Sequence, residues 1–182
     1  RENISGEHVG LFCGSLYADK SLDFLLRASK KIHEKLGSFE LVIVGSGSES
    51  KKIEQAARRY SWIHYPGPKF GDELVPYLRC AKVMLIPGAV GLVVMDSFAA
   101  ELPLVAVSNN RHGPEIAYIE NGRNGILTER SEEAYAEAAV KLFTAARYRE
   151  RLKEGCRISA QKYTLDNMVG NLTKGILACL EA

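Results

Sequence analysis

Residues 39–47 read Phe39-Glu40-Leu41-Val42-Ile43-Val44-Gly45-Ser46-Gly47, a mostly β-branched and aromatic run that ends in glycine. Such a run predicts a buried β-strand that stops at Gly45. Apolar residues at helical spacing precede it over 22–32, and a polar segment of helical length, Ser48–Arg59, follows it. A strand between two helices is typical of a parallel sheet whose connections cross over its faces.

The same alternation continues along the chain. Further strands are predicted at His8–Cys13, Trp62–Tyr65, Lys82–Ile86, Leu104–Val107 and Gly125–Leu127, and a turn at Pro66-Gly67-Pro68. Further helices are predicted at Asp72–Cys80, Leu92–Ala100, Glu132–Ala145, Arg147–Lys162 and Leu165–Leu180. This order indicates a Rossmann-like three-layer α/β/α sandwich with an open parallel sheet. We expect residues 1–182 to form one domain.

The composition is that of an ordinary globular protein. Hydrophobic residues make up 46% of the 182 residues and charged residues 25%, so the chain can fill a core without disulfides or metal ions. The 24 Lys+Arg and 22 Asp+Glu leave a net charge of +2, which argues against bulk electrostatic binding of nucleic acid. No apolar stretch reaches the roughly 18 residues of a membrane span.

The four cysteines suggest neither disulfides nor a metal site. Cys13, Cys80, Cys156 and Cys179 form no CxxC pair and have no histidine at ligand spacing. We expect all four to be small buried apolar residues in a reducing cytosol.

The chain begins at Arg1 rather than at a methionine, and we expect it to be a piece of a longer protein.

Glycine follows the predicted strands with unusual regularity. Gly14, Gly45, Gly47, Gly67, Gly88 and Gly91 all stand just after a strand. Open parallel sheets bind ligands beyond the carboxyl ends of their strands, and glycine lets the backbone approach a ligand closely. These loops therefore favour a nucleotide or phosphate site, although strand-to-helix turns also use glycine for their own geometry. No Walker A pattern and no complete GxGxxG is present.

The order of the motifs resembles one family over nearly the whole chain. The matching segments begin with Gly14-Ser15-Leu16 and Lys20. They continue, in order, with 41–47, Ile63–Gly67, Leu74–Leu78, Ala81–Pro87, 91–100, Leu102–Ala106, Gly113-Pro114-Glu115-Ile116, Asn121-Gly122 and Asn124-Gly125-Ile126-Leu127. Together they resemble the C-terminal, donor nucleotide-sugar-binding domain of the retaining group 1 (family four) glycosyltransferases, which have the GT-B fold.

The resemblance implies a site residue by residue. The donor diphosphate would contact Gly14, Ser15, Lys20, Gly91, Leu92 and Val93, the ribose would contact Asp96, and the base would lie against Gly45, Gly47, Gly67, Pro68 and Lys69. Because the chain offers no DxD cluster, we expect backbone N–H groups and Lys20 to meet the phosphate charge without a metal or other cofactor. A solvated loop position for Lys20, and a simple preference of Asp96 for a helix start, are the alternatives.

Two departures from the family pattern stand out. Gly88 occupies the position of the first signature glutamate, in a shortened loop, and Ser15 occupies the position of an arginine. On the sugar or phosphate side we therefore consider Gly88, His112 and Glu115. For His112 the alternative is a polar loop residue packed on a neighbour, and for Glu115 a favourable helix start.

These observations lead to three functional hypotheses. The first is the donor-binding half of a retaining, metal-independent transferase that moves sugar from a UDP- or GDP-sugar to a glycan or lipid-linked acceptor in polysaccharide biosynthesis. The acceptor would be bound by a missing N-terminal domain, so no catalytic residue is assigned in this chain and we expect it to be inactive alone. We expect a cytoplasmic protein and consider peripheral association with the membrane face. The other hypotheses are a catalytically inactive nucleotide-binding domain and a GT-B nucleotide-sugar epimerase.

Overall fold

A computed structural model of the chain describes residues 4, 6–108 and 112–180. Its strands are β1 (His8–Cys13), β2 (Phe39–Val44), β3 (Ile63–Gly67), β4 (Val83–Ile86), β5 (Leu104–Val107) and β6 (Gly125–Thr128). Its helices are α1 (Leu22–Leu36), α2 (Ser50–Arg59), α3 (Val75–Cys80), α4 (Val93–Ala99), α5 (Glu132–Thr144), α6 (Ala146–Lys162) and α7 (Leu165–Leu180). Short 3₁₀ turns lie at Ala18–Lys20, Gly71–Glu73 and Pro114–Tyr118.

The six strands form one parallel sheet in the order β3-β2-β1-β4-β5-β6. From β1 the chain moves outward to β2 and β3, then returns to the other side of β1 and continues through β4, β5 and β6. Because such crossovers are right-handed, α1 and α2 cover one face and α3 and α4 cover the other. The direction reverses between β1 and β4, and this is where open α/β sheets form a ligand crevice.

The sheet is buried on both faces. All four residues of β4 and all four of β5 are buried, as are Leu41–Val44 of β2. α5 packs on α1 and α6 on α4, and the hydroxyl of the fully buried Tyr135 in α5 donates to the carbonyl of Val105 at 2.9 Å. The predicted three-layer α/β/α sandwich with an open parallel sheet is confirmed.

The third strand extends further than predicted. β3 continues through Pro66 to Gly67, where we predicted a turn. β3 lies at the edge of the sheet, and its register with β2 shifts between Val42 and Val44, which is where Pro66 falls. Proline has no N–H to donate, so an edge strand with an irregular register can hold it.

The helix predicted over Asp72–Cys80 is divided in the structure into the turn Gly71–Glu73 and α3.

The expectation that all four cysteines are buried is wrong. Cys156 is buried and Cys13 half-buried, but Cys80 and Cys179 are exposed, and all four thiols are free. Cys80 is the last residue of α3 and Cys179 lies in α7, and neither helix buries any residue. Burial raises the pKa of the Cys156 thiol to about 12.

α7 is the part of the fold that packs least. It has an apolar stripe at helical spacing, and every member of the stripe is exposed: Leu165, Met168, Val169, Leu172, Ile176, Leu177 and Leu180. Across the described ranges, no helix is both long enough and apolar enough to cross a membrane. α7 therefore presents a hydrophobic surface that no described part of this chain covers.

Candidate functional site

A cleft opens at the carboxyl ends of β1, β2 and β4. Its wide part has a volume of about 520 Å³ and its narrow part about 170 Å³. The two parts share four lining residues: Cys13, Gly14, Ser15 and Val93. Because β1 and β4 are the strands between which the chain direction reverses, the cleft lies where an α/β sheet is expected to bind a ligand.

Backbone hydrogen bonds hold the loops around the wide part together. The amide of Gly14 donates to the carbonyl of Val44 at 3.0 Å, and that of Gly45 to the carbonyl of Gly67 at 3.1 Å. Gly45 has φ of +145°, and a Cβ at that position would lie 1.8 Å from the carbonyl oxygen of Gly14. Glycine is therefore required at position 45 for the first two loops to pack against each other.

Three of the five residues predicted to contact a base line the wide part, namely Gly45, Pro68 and Lys69. Gly47 and Gly67 do not line it. A Cβ on Gly47 would lie 2.4 Å from the carbonyl oxygen of Leu16, so this glycine allows the Leu16 backbone to approach. The structure thus gives Gly47 a packing role beneath the loop rather than a place on the cleft wall.

Lys20 lies in the turn Ala18–Lys20 and lines the narrow part together with Gly91 and Leu92. Its side chain is only 15% exposed, which excludes the alternative of a solvated loop lysine. Nζ donates to the carbonyl of Ala89 at 2.8 Å and lies 3.7 Å from the carboxylate of Asp19. Since an ammonium has three donors, these two contacts leave one for a ligand in the cleft.

The other donors at the narrow part are backbone amides. The N–H groups of Gly91, Leu92 and Val93 make no hydrogen bond to any residue that the structure describes. The carbonyls of Gly91 and Leu92 accept from Val94 and Met95, so this segment already turns into α4. Together with Lys20, these amides make the narrow part electropositive and suited to an anion.

Asp96 lies in the first turns of α4, and its side chain lines the wide part. Within the described ranges no residue pairs with its carboxylate. The walls of the cleft shield this group from water and thereby raise the pKa of Asp96.

Gly88 cannot carry a side chain in this structure. It is buried, and a Cβ on it would lie 2.3 Å from the carbonyl oxygen of Asp19 and 2.5 Å from Cα of Lys20. The neighbouring amide of Ala89 donates to the same Asp19 carbonyl at 2.9 Å. The shortened loop is therefore packed on the backbone of the Ala18–Lys20 turn, and the space of the missing acidic side chain is filled.

His112 and Glu115 are not brought to the cleft wall. The Nδ1 atom of His112 accepts from the amide of Val90 at 3.2 Å, and its Nε2 atom lies 2.6 Å from the carbonyl oxygen of Val107. Glu115 lies half-buried in the turn Pro114–Tyr118, with its carboxylate directed toward Gly113. Neither residue contributes to the lining of the wide or the narrow part.

Sequence reasoning missed several residues that line the wide part. They are Cys13, Tyr17, Val44, Ser46, Phe70, Gly71 and Leu74. Tyr17 and Phe70 are 52% and 77% exposed, so two aromatic rings stand at the rim. All but Leu74 are one or two residues from a predicted site residue, and extending each predicted loop by two positions would have found them.

Burial and the charge of Asp96 raise the pKa of the Cys13 thiol to about 11, so it stays protonated at neutral pH.

We found no group of three or more His, Cys, Asp or Glu side chains able to hold a metal ion in the described part of the chain. The cationic side chains in the lining of the cleft are those of Lys20 and Lys69.

Curated proteins with similar sequences are glycosyltransferases. An uncharacterized glycosyltransferase of Methanocaldococcus jannaschii is 28% identical over 170 residues, covering 89% of this chain and 43% of that protein. The GtfA subunit of the UDP-N-acetylglucosamine–peptide N-acetylglucosaminyltransferase of Streptococcus pneumoniae is 27% identical over 165 residues, covering 89% and 32%. The chain therefore spans less than half the length of these relatives.

The fold is shared with solved glycosyltransferases. The crystal structure of the pneumococcal O-GlcNAc transferase GtfA in complex with UDP and GlcNAc superposes with a TM-score of 0.77 at 21% identity, covering 100% of this chain and 37% of that one. Structures of this group have the GT-B architecture, and the present sheet corresponds to one half of it. The sequence profile of the group 1 glycosyl transferases matches residues 7–145. With this match over most of its length, the chain belongs to the group 1 glycosyltransferases.

Proposed function

We propose that the chain is the donor-binding half of a glycosyltransferase that moves a sugar from a UDP- or GDP-sugar to a glycan or lipid-linked acceptor. The observation that carries this proposal is the distribution of charge along the cleft. The partly desolvated carboxylate of Asp96, which pairs with no residue that the structure describes, lies in the wide part, and the ammonium of Lys20 lies in the narrow part. A nucleoside diphosphate has ribose hydroxyl donors followed by anionic phosphates, which matches the order of Asp96 and Lys20 along the cleft.

In this arrangement the wide part takes the nucleoside. Asp96 accepts hydrogen bonds from the ribose hydroxyls, and Pro68 and Lys69 lie where the base would lie. The volume of about 520 Å³ is within the usual range of small-molecule sites. The GtfA relative, by its name, uses UDP-N-acetylglucosamine, and this supports a nucleotide-sugar donor for the present chain.

The narrow part takes the diphosphate, which becomes the leaving group. Lys20 and the amides of Gly91, Leu92 and Val93 stabilise the negative charge that develops as the bond to the sugar breaks. These groups supply the required positive field themselves, so we propose transfer that depends on no metal ion. Retention of the anomeric configuration is proposed from the family resemblance.

The acceptor and the remaining catalytic groups are proposed to belong to a part of the protein outside this chain. The chain covers 43% and 32% of the two curated relatives above. The apolar stripe of α7 is consistent with a further part of the protein packing against it. We place this activity in cytoplasmic polysaccharide biosynthesis.

A second candidate is a nucleotide-binding domain without transfer activity. Gly88 favours this candidate because it stands at the position of a signature acid and leaves no room for any side chain. Such a domain would bind a nucleoside diphosphate in the same cleft and release no sugar.

The test uses the full-length protein that contains this chain, with a panel of UDP- and GDP-sugars and the candidate acceptors. We expect transfer from at least one donor, an unchanged rate in excess EDTA, and a product with the anomeric configuration of the donor by NMR. The 182-residue chain alone is the matched control and should bind UDP or GDP but transfer nothing. Binding without transfer across the whole panel would favour the second candidate, and failure to bind any nucleotide would contradict both.

A further inference from the structure

The loop 87–91 follows β4, borders the narrow part of the cleft and is held by hydrogen bonds from two sides. On one side the Ala18–Lys20 turn holds Ala89, through the amide bond to Asp19 at 2.9 Å and the Lys20 ammonium bond at 2.8 Å. On the other side the contact of the loop is with His112, which accepts the amide hydrogen of Val90 at 3.2 Å. Ala89 and Gly91, on either side of Val90, line the narrow part of the cleft.

The geometry settles the tautomer of His112. A backbone amide can only donate, so Nδ1 accepts from Val90 and carries no hydrogen. The hydrogen of the neutral ring is then on Nε2, which donates to the carbonyl of Val107 at 2.6 Å. Both ring nitrogens are engaged, so this imidazole has no free nitrogen to offer a phosphate group.

We propose that His112 is a positioning residue for the donor diphosphate, which it serves by tying the loop 87–91 to the end of β5. This inference rests on the proposed function, because it assumes that the narrow part takes the diphosphate. His112 links the amide of Val90 to the carbonyl of Val107, and thereby fixes the loop whose Ala89 carbonyl orients Lys20 and whose Gly91 borders the phosphate position.

The consequence is specific to one end of the ligand. Without the imidazole, the Val90 amide and the Val107 carbonyl lose their partner, and the loop can leave the position in which Ala89 holds Lys20. The wide part has none of these residues in its lining, so nucleoside recognition does not depend on this link. A general loss of structure would weaken both ends equally.

The test compares the unmodified full-length protein with the variants His112→Phe, His112→Gln and His112→Ala and with one control variant. Phenylalanine keeps a ring of similar shape but has no polar atoms, whereas glutamine has an acceptor and an N–H donor that can replace both bonds. His8→Ala is the matched control, because His8 is a histidine at the opposite end of β1 that bonds Ser38. Calorimetry measures the affinity for UDP and GDP, and NMR shift titration measures the affinity for uridine and guanosine.

We expect His112→Phe and His112→Ala to weaken binding of the preferred nucleoside diphosphate about tenfold. His112→Gln should stay within about threefold of the unmodified protein, and His8→Ala should bind normally. Nucleoside affinity should be the same in all forms. If one of the Phe and Ala variants fails to fold, the other supplies the comparison. If both fail to fold, the glutamine variant decides: diphosphate affinity within about threefold of the unmodified protein supports the proposal, and weaker binding counts against it.

Three results would overturn the inference: unchanged diphosphate affinity in the Phe and Ala variants, an equal loss for nucleoside and diphosphate, or no rescue by glutamine. Each of these leaves the proposed function standing as long as the unmodified protein binds UDP or GDP. Absence of nucleotide binding by the unmodified protein is instead a failure of the proposed function itself.

Discussion

The ammonium of Lys20 and the carbonyl of Ala89 are joined by a hydrogen bond of 2.8 Å although they are 69 residues apart in sequence. The bond connects the turn after β1 to the loop after β4, the two segments that meet at the narrow part of the cleft. It directs the charge of Lys20 inward and leaves its side chain only 15% exposed. Lys20 therefore serves two purposes, because the same ammonium holds the loop and faces the proposed phosphate position.

Replacing Lys20 by methionine should weaken nucleoside diphosphate binding roughly 10- to 100-fold, because hydrogen bonds to charged groups contribute about 1.5–3 kcal/mol. Calorimetry with UDP and GDP measures the change. Lys52→Met is the control, since Lys52 forms comparable contacts with Asp23 at 2.8 Å and Glu49 at 2.7 Å on the surface. Equal affinities of the Lys20 and Lys52 variants would remove Lys20 from the site.

The packing of Gly88 leads to a second prediction. Gly88→Ala should lower the free energy of unfolding by about 1–3 kcal/mol, because its Cβ would overlap the backbone of Asp19 and Lys20. The same displacement moves the Lys20 ammonium, so nucleotide affinity should fall as well. Urea denaturation and calorimetry measure the two effects.

Gly170→Ala is the matched control for this glycine, since a Cβ there would meet nothing within 4 Å. It should leave nucleotide affinity unchanged and leave stability unchanged or slightly increased, because alanine favours a helix more than glycine does. For the same steric reason, Gly88→Glu should not restore a signature acid to this loop. A stable and active Gly88→Glu protein would show that the loop can take another conformation.

We expect the carboxylate of Asp96 to favour ligand binding and to lower the free energy of unfolding. Burial raises its pKa, so the ionised form is disfavoured in the folded protein and the charge destabilises the fold at neutral pH. Asp96→Asn should therefore raise the unfolding free energy at pH 7. This gain should vanish as the pH falls below the ordinary aspartate pKa of about 3.9, where the carboxyl is protonated in both states.

The same substitution should weaken nucleotide binding roughly 10- to 100-fold, because an amide accepts hydrogen bonds less strongly than a carboxylate. In the unmodified protein, the raised pKa means that affinity should begin to fall at a higher pH than an ordinary aspartate would give. Thermal unfolding and calorimetry from about pH 3 to 8, a range that extends below the ordinary aspartate pKa, test both statements, with the surface variant Glu34→Gln as control. An Asp96→Asn protein with full affinity would contradict a ribose contact.

The element order could be predicted because local patterns determine it. β1 and β2 have the predicted bounds, since apolar runs that end in glycine leave little choice of boundary. The observed end of β3 differs from the predicted one because an edge strand can hold Pro66, and the local sequence does not show which strand lies at the edge of the sheet. The exposed Cys80 and Cys179 differed for a related reason, since cysteine burial depends on whether the helix that carries it packs.

The same division applies to the cleft. Gly14 and Gly91 could be placed there because each follows a predicted strand at the same edge of the sheet, and Lys20 and Asp96 because their positions match the motifs of the family that the sequence resembles. The positions of Gly88 and His112 could not be predicted. They depend on how a shortened loop packs on the Ala18–Lys20 turn and on the end of β5, and these contacts join distant parts of the chain.

The exposed stripe of α7 leads to the last prediction. As an isolated chain, the 182 residues should self-associate at high concentration, because association is the way for this helix to bury Leu172, Ile176 and their neighbours. Leu172→Glu with Ile176→Glu should shift the sedimentation coefficient toward that of a monomer. Lys174→Glu, on the polar side of the same helix, should not change the association.

In the full-length protein the double substitution should have a different effect. If another part of the polypeptide covers the stripe, placing two carboxylates there removes apolar contact and buries charge, which should lower the melting temperature. The measurement is thermal unfolding of the full-length protein with and without the two substitutions. An unchanged melting temperature there, together with a monomeric isolated chain at all concentrations, would show that α7 is exposed in the complete protein as well.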